Sequence, residues 1–103
     1  MLIYNITLKI EWAIQLQWLA WMKDEYSKQV METGCFTRYQ LLRLLDIEED
    51  EGPTYALQLY IENREKYIEF LGQYLPELET AALQKWGSSA LTFSTVMEIV
   101  ELG

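Results

Sequence analysis

A chain of 103 residues, half of them apolar and 23% charged, has the length of one domain and enough apolar matter for a core without disulfides or metal. Its 14% aromatic content, with only five glycines and two prolines, excludes collagen-like, low-complexity and disordered classes. Sixteen acids against eight bases give a net charge of −8, which repels phosphate, so neither nucleic acid nor an anionic membrane surface is an expected partner.

No histidine is present, which removes Ser-His-Asp and Cys-His catalysis, His-ligated zinc and histidine pH switching. Cys35 is the sole cysteine, so there is no intrachain disulfide and no thiolate cluster. No metal and no cofactor are expected. One unpaired thiol fits a reducing interior. No basic segment precedes the first apolar stretch, and no window reaches the ~18 apolar residues of a membrane span. The expectation is a cytoplasmic protein.

Leu2 to Ile10 alternates: Leu2, Tyr4, Ile6, Leu8 and Ile10 share one face, and Ile3, Asn5, Thr7 and Lys9 the other. Period two predicts a strand with its first face buried. From Trp12 the period lengthens. Trp12, Leu16, Leu19, Met22, Tyr26 and Val30 recur at three- and four-residue spacing and predict a helix. Trp18 widens that stripe, and Ile14 and Trp21 fall nearly opposite its centre. The helix is expected to stop at Thr33-Gly34, with glycine supplying a left-handed cap.

Phe36 to Ile47 reads as a second strand with apolar residues on both faces, because Leu41-Leu42 and Leu44-Leu45 interrupt the alternation. The acidic run from Asp46 to Glu51, with Gly52-Pro53, is a hairpin turn. It fails the EF-hand template, since its sixth and twelfth positions are Glu51 and Leu57. Thr54 to Glu62 alternates as a third strand. Asn63 is a candidate N-cap for a second helix whose stripe is Tyr67, Phe70, Leu71, Tyr74, Leu78, Ala81 and Ala82. Pro76 predicts a kink or break and the start of a short helix to Trp86. Gly87-Ser88-Ser89 is a turn, and Leu91 to Leu102 a last strand.

The order β-α-β-β-α-β gives a four-stranded antiparallel sheet with both helices on one face, the first and third strands being central neighbours. This is an α+β, ferredoxin-like domain spanning residues 1–103. No glycine-rich phosphate loop is present.

With these elements placed, the chain resembles an uncharacterised bacterial family, the domain of unknown function 4286. The residues that carry the resemblance are Ile3-Tyr4-Asn5, Trp18-Leu19-Ala20-Trp21-Met22, Thr33-Gly34-Cys35-Phe36, Leu42-Arg43-Leu44, Thr54-Tyr55-Ala56-Leu57-Gln58, Leu75-Pro76 and Trp86-Gly87. The resemblance implies a dimeric α/β-barrel type of fold, in which two ferredoxin-like subunits join sheets. In that family a histidine often follows the acidic residue after Trp-Met in the first helix; here the position is Tyr26. Chemistry resting on such a histidine does not carry over.

Strand parity places Asn5 and Thr7 beside Gln58 and Tyr60 on the sheet face away from the helices, with Arg38 and Gln40 added from the second strand. These neutral hydrogen-bonding groups and one cation would suit a small polar or anionic ligand between two sheets. Ile3, Ile14 and Trp21 are the candidate interface residues. Ile3, Ala56 and Tyr60, with either Val96 and Val100 or Met97 and Ile99, make the second face too apolar to stay in water. The partner expected there is a second copy of the chain. The sequence reading is therefore a small homodimeric structural, interaction or ligand-binding module, favoured over an enzyme without settling that question. Its alternative is a cofactor-independent monooxygenase acting in an intersheet cavity, as in related dimeric α/β barrels. That alternative lacks a base among the polar residues of the face.

Overall fold

The structure is a computed structural model describing residues 1–103. Strands β1 (Leu2–Ile10), β2 (Arg38–Arg43), β3 (Thr54–Ile61) and β4 (Ala90–Glu98) form one antiparallel sheet in the order β2-β3-β1-β4. The alternation of β1 does what period two requires: Leu2, Tyr4, Ile6, Leu8 and Ile10 are all buried beneath the helices. Leu57, Leu59 and Ile61 of β3 join them with no exposed surface. Both helical arms lie over this face, and Trp18, Met22, Tyr26, Val30 and Phe70 complete the core.

Each arm is an α-helix interrupted by one wider turn. The first (residues 12–32) begins with a tight turn at Trp12–Ile14, continues as α1 (Gln15–Trp21), widens into a π turn at Met22–Tyr26, and resumes as α2 (Ser27–Glu32). Its buried residues are Trp18, Met22, Tyr26, Ser27 and Val30. Four-residue steps overshoot an α-helical turn by about 40° each. The extra residue of the π turn absorbs that drift and keeps Tyr26 and Val30 on the core. The second arm is α3 (Arg64–Glu69), a π turn at Phe70–Tyr74 and α4 (Leu75–Trp86). Asn63 caps it as expected, Oδ1 accepting from the Lys66 amide at 2.9 Å. Pro76 sits in the first turn of α4, just past the widened turn, where its missing amide hydrogen is tolerated. Gly34 closes the first arm at φ +75, in the left-handed region.

The ends of β1 are pinned by the loops around it. Ile10 N donates to Pro53 O, Glu11 N to Ser89 O and Trp12 N to Glu51 O. Gly52, at φ +156, passes so close to Ile10 that a Cβ there would collide with the Ile10 carbonyl oxygen.

Several sequence expectations shift. The phase of the first arm differs: Leu16 is 81% exposed and Trp12 is also exposed, while Trp18 is central. The π turn is the reason, since a stripe drawn at constant α-helical pitch cannot align both halves. For the same reason Ile14 and Trp21 are half-buried against the core instead of facing away from it. The second strand is Arg38–Arg43, shorter than Phe36 to Ile47, because the chain turns away at Asp46 with φ +58. The last strand stops at Glu98, which pairs with Leu2; β1 offers no further partner for Val100 or Leu102.

Candidate functional site

The outer sheet face carries the residues selected by strand parity. Register aligns Gln40 with Gln58, Gln58 with Asn5 and Asn5 with Thr95 across the four strands. The side chains join in a row: Gln40 Nε2 donates to Gln58 Oε1 at 2.7 Å, Gln58 Nε2 to Asn5 Oδ1 at 3.3 Å, and Asn5 Nδ2 to Thr7 Oγ1 at 3.2 Å. Gln40 Nε2 also donates to the Tyr60 hydroxyl at 3.2 Å. The Arg38 guanidinium stacks 4.1 Å over the Tyr60 ring. Asn5, Thr7, Arg38, Gln40, Gln58 and Tyr60 are therefore one surface, with Arg38 and Gln40 sharing the parity of Gln58 and Tyr60. Apolar residues flank the row. Ile3, Tyr60 and Met97 lie on one side of it, and Leu42, Ala56 and Phe93 on the other. Phe93 is 65% exposed.

The opposite face holds a feature that sequence reasoning missed. A cavity of about 200 Å³ opens between the sheet and the helical arms. Tyr4, Thr92 and Ser94 form its floor, Trp18, Trp21 and Tyr26 one wall, and Glu79 and Trp86 of α4 the other. It exists because α4 does not cover β4: the inward residues Ala90, Thr92 and Ser94 are small, and every residue from Leu91 to Glu98 is exposed.

The polar groups of the cavity are few. Trp86 Nε1 is fully buried and has no hydrogen-bond partner. An amide-like donor left so costs about 1–3 kcal/mol. Burial is the main cause that pushes the Tyr26 hydroxyl far above its ordinary value of 10.0, with Tyr4 and the Glu79 carboxylate adding to it. Burial also raises Tyr4, which the neighbouring Ser94 hydroxyl partly offsets, and Glu79 and Tyr67 raise it further. Both phenols are thus held protonated, as donors and not bases. Trp21 packs edge-on to Trp86 at 5.7 Å between ring centroids and tilted on Tyr26 at 5.0 Å. Trp21, expected at an interface, is part of this wall.

The sequence does contain a weak signal for the cavity. Thr92 and Ser94 stand at inward positions of β4 where a filled core would take larger apolar residues. Tyr4 and Tyr26 place polar tips within apolar stripes. Cys35 lies apart from both surfaces, its thiol 3.2 Å from Glu69 Oε2. Burial first, then Glu69, raises the thiol above its ordinary value of 9.0.

The family model described as Domain of unknown function (DUF4286) matches residues 1–100. The chain belongs to that family. No curated protein sequence matches this DUF4286 member. In structure it is similar to HapK from Hahella chejuensis, at 11% identity and a TM-score of 0.73, over 100% of this chain and 96% of that one. It is similar to SnoaB, a cofactor-independent oxygenase from Streptomyces nogalater, at 12% identity and a TM-score of 0.68, over 98% and 94% of the two chains. A dimeric ferredoxin-like protein from an uncultured marine organism matches at 14% identity and a TM-score of 0.62, over 99% and 97%. At these identities the likeness establishes the fold, an α+β ferredoxin-like architecture, and not an activity.

Proposed function

We propose that this DUF4286 chain is a small-ligand-binding module that works as a homodimer. The observation that carries the reading is the aromatic cavity between the sheet and the helical arms. A dry cavity of about 150 Å³ accepts benzene, so 200 Å³ suits a molecule of one or two rings. The aromatic walls bury its body, and the Tyr26 hydroxyl supplies a polar contact that orients it.

The dimer reading rests on the outer sheet face. Leu42, Leu91, Phe93 and Met97 are exposed there around the polar row. Two such faces brought together would remove this apolar surface from water and approach the ~1,600 Å² of a stable interface. The dimeric ferredoxin-like relative supports it by analogy. In that dimer the row from Gln40 to Thr7, with Arg38, would lie between the sheets and suit a small polar or anionic group. The buried, unpaired Cys35 supports a reducing, cytoplasmic setting.

An oxygenase has less support. It needs a proton acceptor, yet both cavity phenols are held protonated and Glu79 is exposed. Native mass spectrometry of freshly purified protein tests the proposal. The expected species has twice the 12.2 kDa chain mass and carries an added small molecule. Ala82→Trp, which fills the cavity from α4, is expected to lose the added mass and keep the dimer. A monomer contradicts the dimer, and an adduct indifferent to Ala82→Trp contradicts the cavity.

A further inference from the structure

The charge around the cavity is one-sided. Glu79 is the only charged residue on its wall; no lysine or arginine lines it. The chain's salt bridges are Arg43–Glu49 and Lys66–Glu69, so Glu79 is not neutralised by a bridge of its own. Glu79 lines the cavity while itself remaining exposed, and its charge raises both the Tyr4 and the Tyr26 hydroxyls. The far sides of Trp21 and Trp86 border a shallow depression shared with Asp24 and Glu25, with Lys85 the one cation there. Lys85 already sits 5.5 Å from the Trp86 ring centroid, outside the cavity.

The rings add to the same preference. Trp21, Tyr26 and Trp86 meet at tilted and edge-on angles of 42° and 72°. A ring face left open to the cavity attracts a cation within about 6 Å of its centroid. The net charge of −8 draws cations toward the molecule and repels carboxylates. Taking the cavity as the binding site proposed above, we infer that its occupant is an organic cation: a ring-sized apolar body carrying a protonated amine, with the amine at Glu79 and the body among the aromatic walls.

Three probes with one skeleton test this by calorimetry at pH 7 and low salt: 2-naphthylmethylamine, 2-naphthylmethanol and 2-naphthoate. The amine is expected to bind about fivefold tighter than the alcohol, as a partly exposed ion pair allows, and the naphthoate weakest. Salt is expected to close the gap between amine and alcohol. Glu79→Gln is expected to bring the amine level with the alcohol. Equal binding of amine and alcohol to the unaltered protein, or a gap that survives Glu79→Gln, overturns the charge selectivity while the cavity reading stands. Failure of all three to bind overturns the cavity reading itself.

Discussion

Phe93→Ala removes the largest exposed apolar side chain of the outer sheet face, and the dimer reading assigns it a definite cost. Phe93 is 65% exposed in the single chain. A phenylalanine presents about 200 Å², so about 130 Å² is covered per protomer if a second copy packs on it, worth about 3 kcal/mol at ~25 cal/mol per Å². Twofold symmetry counts the contact twice. Alanine keeps the Cβ and the interface relaxes, so about 4 of the ~6 kcal/mol is lost and the dissociation constant rises about a thousandfold. Sedimentation equilibrium across nanomolar to micromolar concentrations measures it. The control is Leu16→Ala, since Leu16 is more exposed, at 81%, but lies on α1 away from that face. The expected result is dissociation by Phe93→Ala alone. Equal dissociation constants for the two variants, or weakening by Leu16→Ala only, would place the contact elsewhere and refute the reasoning.

Gly52→Ala forces the Cβ onto the Ile10 carbonyl and strains a backbone at φ +156. With the Ile10–Pro53 and Trp12–Glu51 hydrogen bonds disturbed, about 3–5 kcal/mol should be lost, seen as a drop of roughly 15–25 °C in thermal melts; a change under about 5 °C would mean the turn yields freely. Tyr26→Phe deletes a hydroxyl that makes no hydrogen bond within the protein. Its urea midpoint should stay level or rise by up to ~1 kcal/mol equivalent, while binding of the naphthyl alcohol weakens; a clear loss of stability would show that the hydroxyl has a structural partner. Cys35 retains its proton in the folded state beyond the ordinary value of 9.0. Stability therefore falls as pH rises from about that value toward the higher folded one, because the unfolded chain releases the proton first. Denaturant melts across this window should show the decline, and Cys35→Ala should lessen it, the raised Tyr4 and Tyr26 hydroxyls supplying what remains above about 10.

The legible parts of the sequence were those in which one periodicity runs unbroken. β1 and β3 alternate cleanly, so their faces, the pairing of Asn5 with Gln58 and the shared outer surface all follow from parity. Asn63 and Gly34 were legible because caps act locally. The first arm was not, because a π turn changes the pitch midway and Leu16 and Trp18 exchange roles. Strand ends were misjudged where apolar residues continue past the ladder, as at Ile99, Val100 and Leu102. Whether a strand continues depends on a partner, and beyond Leu2 there is only Met1, whose carbonyl accepts from Ile99 N. The cavity was illegible for a further reason. It is a space between β1, the first arm, α4 and β4, and its existence depends on what α4 leaves uncovered. No single segment encodes that, although Thr92, Ser94 and Tyr26 hint at it.

The indole N–H signals of the four tryptophans, in a nitrogen-15 correlation spectrum titrated with 2-naphthylmethanol, test the central claim most directly. The neutral probe separates occupancy of the cavity from the charge of the occupant. Trp86→Phe and Trp12→Phe variants assign the two decisive signals. The account predicts that the Trp86 signal, from an indole in the cavity wall, moves and saturates as the probe packs against its ring. The exposed Trp12 signal, whose N–H already donates to Glu49 O at 2.8 Å, is expected to stay in place. A Trp86 signal that remains fixed through saturating probe, or a response confined to Trp12, would contradict the account.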